Sequence, residues 1–232
     1  MVRLIPLRFL PNLITLASLY FGCLGVVWAL DFQIQWAVYM IWICATLDLL
    51  DGLVARVLGV SSDLGKHLDS LSDLISFGLL PATIIYALGS GYLDDPWPYA
   101  SFVLTLFSAM RLARFNLDTE QNIDFKGLPT PANALFISSF PALIDQNSEN
   151  LRHGLENPIY WLLIIGILSY LLVSNIRLFG FKFQNLIWAE NKYRFLFIGM
   201  SIITGLALGI LAIPVIMLLY LLMSVIWQYR RH

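Results

Sequence analysis

Four aspartates in two closely spaced pairs form the most chemically informative pattern in the sequence. Asp48 and Asp51 are three positions apart and Asp69 and Asp73 are four apart, so each pair lies on one face of a helix. Acidic side chains grouped in this way repel one another unless cations lie between them. Carboxylate oxygens suit hard divalent cations, and four of them suit a pair of Mg²⁺ or Mn²⁺ ions about 3.5–4 Å apart. The pattern therefore predicts a two-metal site of the kind that clamps the attacking and leaving oxygens of a phosphoryl transfer.

The composition indicates that helices embedded in a membrane position these acids. The chain has 232 residues, of which 59% are hydrophobic and 12% charged, with a net charge of −1 and a mean hydropathy of +0.75. An ordinary soluble domain carries about 25% charged residues, so the composition excludes both a soluble globular enzyme and a disordered protein. Nucleic-acid binding is excluded as well, because the chain has no excess of positive charge to neutralise phosphates. The expected partner is membrane lipid.

Eight apolar segments are long enough to cross a bilayer, which takes about 20 residues of helix. They cover residues 12–30, 34–58, 67–92, 97–117, 129–146, 157–175, 193–211 and 212–228. The last two are divided because the uncharged stretch 195–229 would be about 50 Å long as one helix, and Gly205, Gly209 and Pro214 supply the expected break. With eight spans, every Lys and Arg except Arg152 lies on one side, which the positive-inside rule assigns to the cytoplasm.

The predicted fold is therefore an all-α polytopic membrane protein that forms a single integral membrane domain over residues 1–232. Both termini and the acids are expected on the cytoplasmic side. The second helix starts near Gln35 at the outer face, which places Asp48 roughly 20 Å and Asp51 roughly 24 Å along it. Both carboxylates thus lie near the inner boundary of the hydrocarbon.

Acids at this depth need a function, because an unpaired charge at the centre of a spanning helix costs about 2.5–3.5 kcal/mol. A charged loop does not fit the pattern, because apolar residues fill the positions between the acids. A cation or proton transporter, with the acids as its ion path, is the alternative from a different class. A transporter would need polar residues that continue outward from the acids, and the second helix offers only Cys44 and Thr46 before Asp48.

The two acid pairs are part of a longer motif, Asp48-x2-Asp51-Gly52-x2-Ala55-Arg56-x8-Gly65-x3-Asp69-x3-Asp73. The motif resembles, without a departure, the signature of the CDP-alcohol phosphatidyltransferase family. The resemblance implies a six-helix membrane core, here residues 10–175, with the helices in 193–228 as additions, and often a homodimer. It also implies transfer of a phosphatidyl group from a CDP-linked lipid to an alcohol, with release of CMP.

The resemblance assigns roles to the motif position by position. It implies that the four aspartates bind two divalent cations and that Asp73 also acts as the general base. A base role suits the chemistry, because a carboxylate beside divalent metals stays ionised at neutral pH. The residues expected to bind CDP-diacylglycerol are Asp48, Gly52, Ala55, Arg56, Gly65, Asn12 and Thr15. Helix capping by Asn12 is the alternative to a nucleotide contact.

Three further stretches, residues 74–82, 111–116 and 127–132, resemble the phosphatidylserine synthase branch of this family, in which the hydroxyl of L-serine is the acceptor. The residues expected to bind the acceptor are Arg111, Arg114, Asn116 and Lys126. A guanidinium is well shaped for the carboxylate of serine. The alternatives are that the two arginines extend to the anionic lipid surface and that Lys126 is only a positive-inside residue.

The acceptor of the predicted reaction has alternatives within the family. The same chemistry with glycerol phosphate, an inositol phosphate or choline is the alternative within the family. A phosphorylated acceptor would need more cationic side chains near the site than Arg111, Arg114 and Lys126.

Overall fold

A computed structural model of the protein describes residues 9–60, 62–117, 124–179 and 188–229, without the side chains of 124–125, 147–153 and 188–190. Within these ranges nearly every residue is helical, which confirms the all-α prediction. The orientation prediction depends on the two chain ends and on the side chain of Arg152, which lie outside the described residues. It therefore stays a prediction.

The first two helices, α1 (Leu10–Leu30) and α2 (Ile34–Leu58), pack along their length through small residues. A Cβ at Gly25 would lie 2.9 Å from Cβ of Met40 on α2, and one at Gly22 would lie 2.5 Å from Oγ of Ser76. Both glycines are buried, so they let α1 approach its neighbours closely. Helix α2 ends at Gly59, which adopts the left-handed conformation with φ of 62°.

The third helical stretch contains a π-helical turn directly after the last predicted acid. Helix α3 (Asp63–Asp73) begins at Ser62, whose side chain accepts a hydrogen bond from the backbone N–H of Gly65 at 3.0 Å. A π-helical turn over Leu74–Leu79 then leads into α4 (Leu80–Gly89). Pro81 lacks a backbone N–H, so it cannot make the ordinary helical bond back to residue 77. The wider turn accommodates that loss, and such turns are frequent at functional sites.

The remaining helices are shorter or interrupted. A 3₁₀ turn (Trp97–Phe102) precedes α5 (Val103–Leu117), followed by α6 (Thr130–Ser138), α7 (Phe140–Leu155) and α8 (Pro158–Val173). Residues 188–229 form α9 (Trp188–Leu208), a 3₁₀ turn (Gly209–Leu211) and α10 (Ala212–Tyr229). The break between α9 and α10 is centred on Gly209, which has φ of 56°. Gly209 is one of the three residues expected to supply this break.

The described residues contain four helical stretches that are long and apolar enough to cross a membrane: Leu10–Leu30, Ile34–Leu58, Asp63–Gly89 and Asn191–Tyr229. They establish an integral membrane protein, but the predicted number of eight spans is not confirmed. The predicted span 129–146 is divided between α6 and α7, because Pro141 cannot continue the helix that ends at Ser138. Helix α8 is apolar but has only 16 residues.

Two short strands, absent from the sequence prediction, join distant parts of the chain. Strand β1 (Asp124–Lys126) pairs antiparallel with β2 (Arg177–Phe179), so that Lys126 lies opposite Arg177. The pairing continues into Gly127, whose N–H donates to the carbonyl of Ile176 at 2.9 Å. A cluster of buried hydrophobic side chains, some of them from α9 and α10, covers this two-stranded ribbon.

Gly127→Ala is expected to lower the free energy of unfolding by more than about 2 kcal/mol. Gly127 has φ of +75°, and a Cβ there would lie 2.6 Å from the backbone oxygen of Leu172. The midpoint of unfolding in detergent measures the change. Gly166→Ala is the matched control, because Gly166 lies within α8 and a Cβ there meets nothing within 4 Å. Equal midpoints for the two variants would contradict the prediction.

Candidate active site

Three of the four predicted acids converge where α2 faces α3. Asp48 and Asp51 from α2 and Asp69 from α3 each offer a carboxylate oxygen, and these oxygens all lie within 4.8 Å of one another. The carboxyl groups of Asp48 and Asp69 approach to hydrogen-bonding range. The spacing places one acid pair at the end of α2 and the other on the next helix, so the turn around Gly59 brings them together.

Helix α1 supplies the closest neutral partner of this acidic group. The Oγ1 atom of Thr15 donates a hydrogen bond to Oδ2 of Asp51 at 2.6 Å, and both side chains are buried. Ser72, between the acids on α3, donates through Oγ to the backbone oxygen of Thr15 at 3.2 Å. These contacts fix α1 against the acids and hold the Asp51 carboxylate in one orientation.

Asp73 lies one turn beyond Asp69 and outside the group of three. It is the last residue of α3 before the π-helical turn. Its carboxylate lies near enough to Asp48, to Asp69 and to the guanidinium of Arg111 to interact electrostatically with each of them. Asp73 is therefore the acid that connects the other three with the cationic residues of α5.

The acidic group fits a divalent cation. Three carboxylates within 4.8 Å supply the hard oxygen ligands that Mg²⁺ and Mn²⁺ prefer. Arg56, which follows the two acids of α2, directs its Nε to the backbone oxygen of Gly52 at 2.9 Å, on its own helix. The donor set therefore supports divalent metal use.

A large cavity of about 820 Å³ opens beside the acids between α1, α2 and α3. The residues expected to bind the CDP-linked lipid that line it are Asn12, Thr15, Gly52, Ala55 and Gly65, together with the acids Asp51 and Asp69. Arg56 and Asp48 are not among its lining residues. A Cβ at Gly52 would meet only the Arg56 guanidinium, at 3.9 Å, so this glycine leaves room for a ligand. Lys66, which the sequence analysis did not select, lines the cavity as well.

A smaller cavity of about 290 Å³ lies next to the cationic residues of α5. Its lining includes Arg111, Arg114 and Lys126, three of the four residues expected to bind the acceptor, and residues 172–175 at the end of α8. The fourth, Asn116, points elsewhere: its Nδ2 donates to Oγ of Ser70 on α3 at 2.8 Å. Asn116 thus ties α5 to the helix that carries Asp69.

Arg111 connects the small cavity to the acids. Its side chain is 8% exposed, its Nη1 lies 3.4 Å from Oγ1 of Thr130, and its guanidinium lies 5.8 Å from the ring centre of Phe115. The buried Nε has no hydrogen-bond partner within the described part of the chain. A buried, unsatisfied donor is costly, so a ligand that accepts from it would be bound favourably. Arg114 is held by donation from Nη1 to the backbone oxygen of Val173 at 3.2 Å.

Sequence reasoning missed the α8 side of this cavity. Ser174 and Asn175 line it, but they lie about 60 residues beyond Arg114 in a stretch with no motif. Two long-range contacts bring them there: the bond from Arg114 to the oxygen of Val173, and the approach of Gly127 and Leu128 to the end of α8, where the N–H of Leu128 donates to the oxygen of Leu171 at 2.9 Å.

Comparison with known proteins is consistent with this geometry. A family model described as CDP-alcohol phosphatidyltransferase matches residues 8–172. A CDP-diacylglycerol–serine O-phosphatidyltransferase of Helicobacter pylori is 33% identical over 227 residues, covering 97% of this chain and 93% of its own. The protein of that description from Bacillus subtilis is 32% identical over 76% of this chain and 93% of its own. An archaetidylserine synthase of Methanothermobacter thermautotrophicus is 36% identical over 56% of this chain and 57% of its own.

Proposed function

The chain belongs to the CDP-alcohol phosphatidyltransferase family, and we propose that it transfers the phosphatidyl group of CDP-diacylglycerol to the hydroxyl of L-serine, giving phosphatidylserine and CMP. The observation that carries the proposal is the position of the acids between two unequal cavities. Asp51 and Asp69 line the large one, and Asp73 interacts with Arg111 of the small one. A bulky nucleotide lipid and a small acceptor can thus approach the acidic group from different cavities.

The four acids divide the chemical work in this proposal. Asp48, Asp51 and Asp69, with Asp73 at their edge, hold two Mg²⁺ or Mn²⁺ ions, which offset the charge of the diphosphate and of the leaving group. The serine oxygen forms a bond to the phosphorus that carries diacylglycerol, and the bond from that phosphorus to the CMP oxygen breaks. Asp73 accepts the hydroxyl proton.

The large cavity is the proposed site of CDP-diacylglycerol. Asn12 and Thr15 on α1 and Gly52, Ala55 and Gly65 around the acids contact the nucleotide, with Asp48 and Arg56 at the margin. The glycines matter because a side chain would occupy the space next to the acids.

The small cavity is the proposed acceptor site. Its volume is at the lower end of the usual range for ligand pockets, about 300–1,000 Å³, which suits an amino acid better than a sugar phosphate. Arg111, with its free Nε, together with Arg114 and Lys126, binds the serine carboxylate. Asn116 contributes from outside by holding α5 against α3.

We propose the topology that the distribution of Lys and Arg favours. Eight helices cross the membrane, six of them in a core over residues 10–175 and two in 193–228, within a single domain of residues 1–232. Both termini and the acids face the cytoplasm. We also propose that the protein is a homodimer, because the resemblance to the family implies that state.

Release of CMP by the protein purified in detergent tests the function. With CDP-diacylglycerol and Mg²⁺ or Mn²⁺, release is expected with L-serine and to be at least tenfold slower with glycerol 3-phosphate, an inositol phosphate, choline or no acceptor. Release that requires one of the other alcohols would keep the chemistry and refute the acceptor. A folded protein that binds divalent ions but releases no CMP with any acceptor would favour the transporter instead.

A further inference from the structure

Helices α9 and α10 lie outside residues 8–172, the part of the chain that the family model matches. Both are apolar, and their break at Gly209 turns the second back along the first. None of their described side chains lines the small cavity. Both helices nevertheless pack against strand β2, which pairs with the strand that ends at Lys126.

The small cavity depends on the β1–β2 ribbon. Lys126, one of its cations, is the last residue of β1, and β1 is held by pairing with β2. The ribbon has only three residues in each strand, too few to be stable alone in water or lipid. The position of Lys126 therefore depends on whatever holds β2.

Tyr220 of α10 holds β2. Its hydroxyl donates a hydrogen bond to the backbone oxygen of Phe179 at 3.1 Å, and its ring lies 5.1 Å from the ring of Phe179. Phe197 from α9 completes the cluster, with its ring 5.8 Å from that of Phe179 and 5.5 Å from that of Tyr220. Tyr220 is 6% exposed and Phe179 is 1% exposed, so the contact is buried.

The phenol of Tyr220 also lies near enough to the Arg111 guanidinium for an electrostatic interaction. Arg111 interacts in turn with Asp73. Tyr220 therefore contacts β2, the partner of the strand that ends at Lys126, and lies in the electrostatic neighbourhood of Arg111, a second cation of the small cavity.

We infer that Tyr220 is a positioning residue for the acceptor site, through which the C-terminal helix pair holds strand β2, and with it Lys126, in place to bind the acceptor carboxylate. The inference rests on the proposed function for the identity of the acceptor. The part that concerns the fold, support of the ribbon by α10, does not depend on it.

Tyr220→Phe tests this role, since it removes the hydroxyl and keeps the ring. The KM for L-serine is expected to rise about threefold to tenfold, the effect of losing one buried hydrogen bond. The kcat and the KM for CDP-diacylglycerol are expected to stay within twofold, because Tyr220 is not among the residues that line the large cavity. Tyr229→Phe removes the same hydroxyl from an 86% exposed position of α10 and should change none of these constants.

Amide hydrogen exchange gives a second readout that needs no acceptor. In Tyr220→Phe, the N–H groups of Gly127 and Leu128, bonded to the oxygens of Ile176 and Leu171, should exchange at least threefold faster than in wild type and Tyr229→Phe. Unchanged exchange, or equal loss of serine and CDP-diacylglycerol binding, would overturn the inference. If the wild-type protein uses another alcohol, only the proposed identity of the acceptor is refuted. The role of Tyr220 is then decided by amide exchange and by the KM for that alcohol.

Discussion

Asp73→Asn is expected to reduce CMP release by more than about 1,000-fold while the affinity for CDP-diacylglycerol changes less than about threefold. A positioned general base contributes typically 10²–10⁴-fold to a rate, and an amide of the same shape cannot accept the serine proton. Asp73 is not among the residues that line the large cavity, so binding of the nucleotide lipid should survive. Initial rates of CMP release, together with equilibrium binding of the lipid, measure the two effects separately.

Asp63→Asn is the matched control for this variant. Asp63 lies on the same helix, in its exposed first turn, two turns before the acids. Its variant should retain the wild-type rate within about twofold. Comparable losses of rate and of lipid affinity in Asp73→Asn would assign Asp73 to binding rather than to proton transfer. If Asp73→Asn kept a tenth or more of the wild-type rate, the role of Asp73 as general base would be refuted.

The acid cluster and the large cavity were predictable because their residues lie close together in sequence. A single motif spans the end of α2 and all of α3, and helical spacing alone decides which side chains share a face. Thr15 adds a distant contact from α1, and the resemblance to the family, rather than a pattern in the sequence, selected it. The motif covers only 26 residues, and the regular spacing of helices leaves few ways to arrange its four carboxylates.

The small cavity was only half predictable. Arg111 and Arg114 share a helix face, but their partners across the cavity depend on the pairing of Lys126 with Arg177, about 50 residues away. Nothing in a three-residue strand distinguishes it from a loop when the sequence is read alone. Asn116 differs from expectation for a related reason: rotation of α5 against α3 brings it to Ser70, and crossing angles are not encoded by a local motif.

Hydropathy alone does not locate the helix boundaries within the apolar segments, for a physical reason that concerns proline. Pro141 interrupts the segment 129–146, and Pro81 changes α3–α4 to a wider turn without ending it. In the first case the chain restarts as α7 after Ser139, and in the second the helix continues as one stretch of 27 residues. A hydropathy average responds to neither difference, because both prolines lie among apolar residues.

Removal of divalent cations is expected to abolish CMP release, by at least about 1,000-fold, and either Mg²⁺ or Mn²⁺ should restore it. The three carboxylates within 4.8 Å would repel one another and the substrate diphosphate if no cation lay between them. Excess chelator, followed by titration with each ion, measures the effect. Full activity in chelator, with no metal left in the protein, would refute the metal role.

Binding of Mn²⁺ to the variants then separates ligands from the base. Loss of a residue that only orients a ligand typically costs 10–100-fold in metal affinity, so Asp51→Asn should weaken Mn²⁺ binding by at least tenfold. Thr15→Val should weaken it less, because Thr15 acts by holding the Asp51 carboxylate. Asp73 lies outside the group of three, which favours a smaller effect for Asp73→Asn than for Asp51→Asn. Calorimetric titration gives both the affinity and the number of ions, and equal weakening in the two variants would show that Asp73 contributes to metal binding as strongly as Asp51 does.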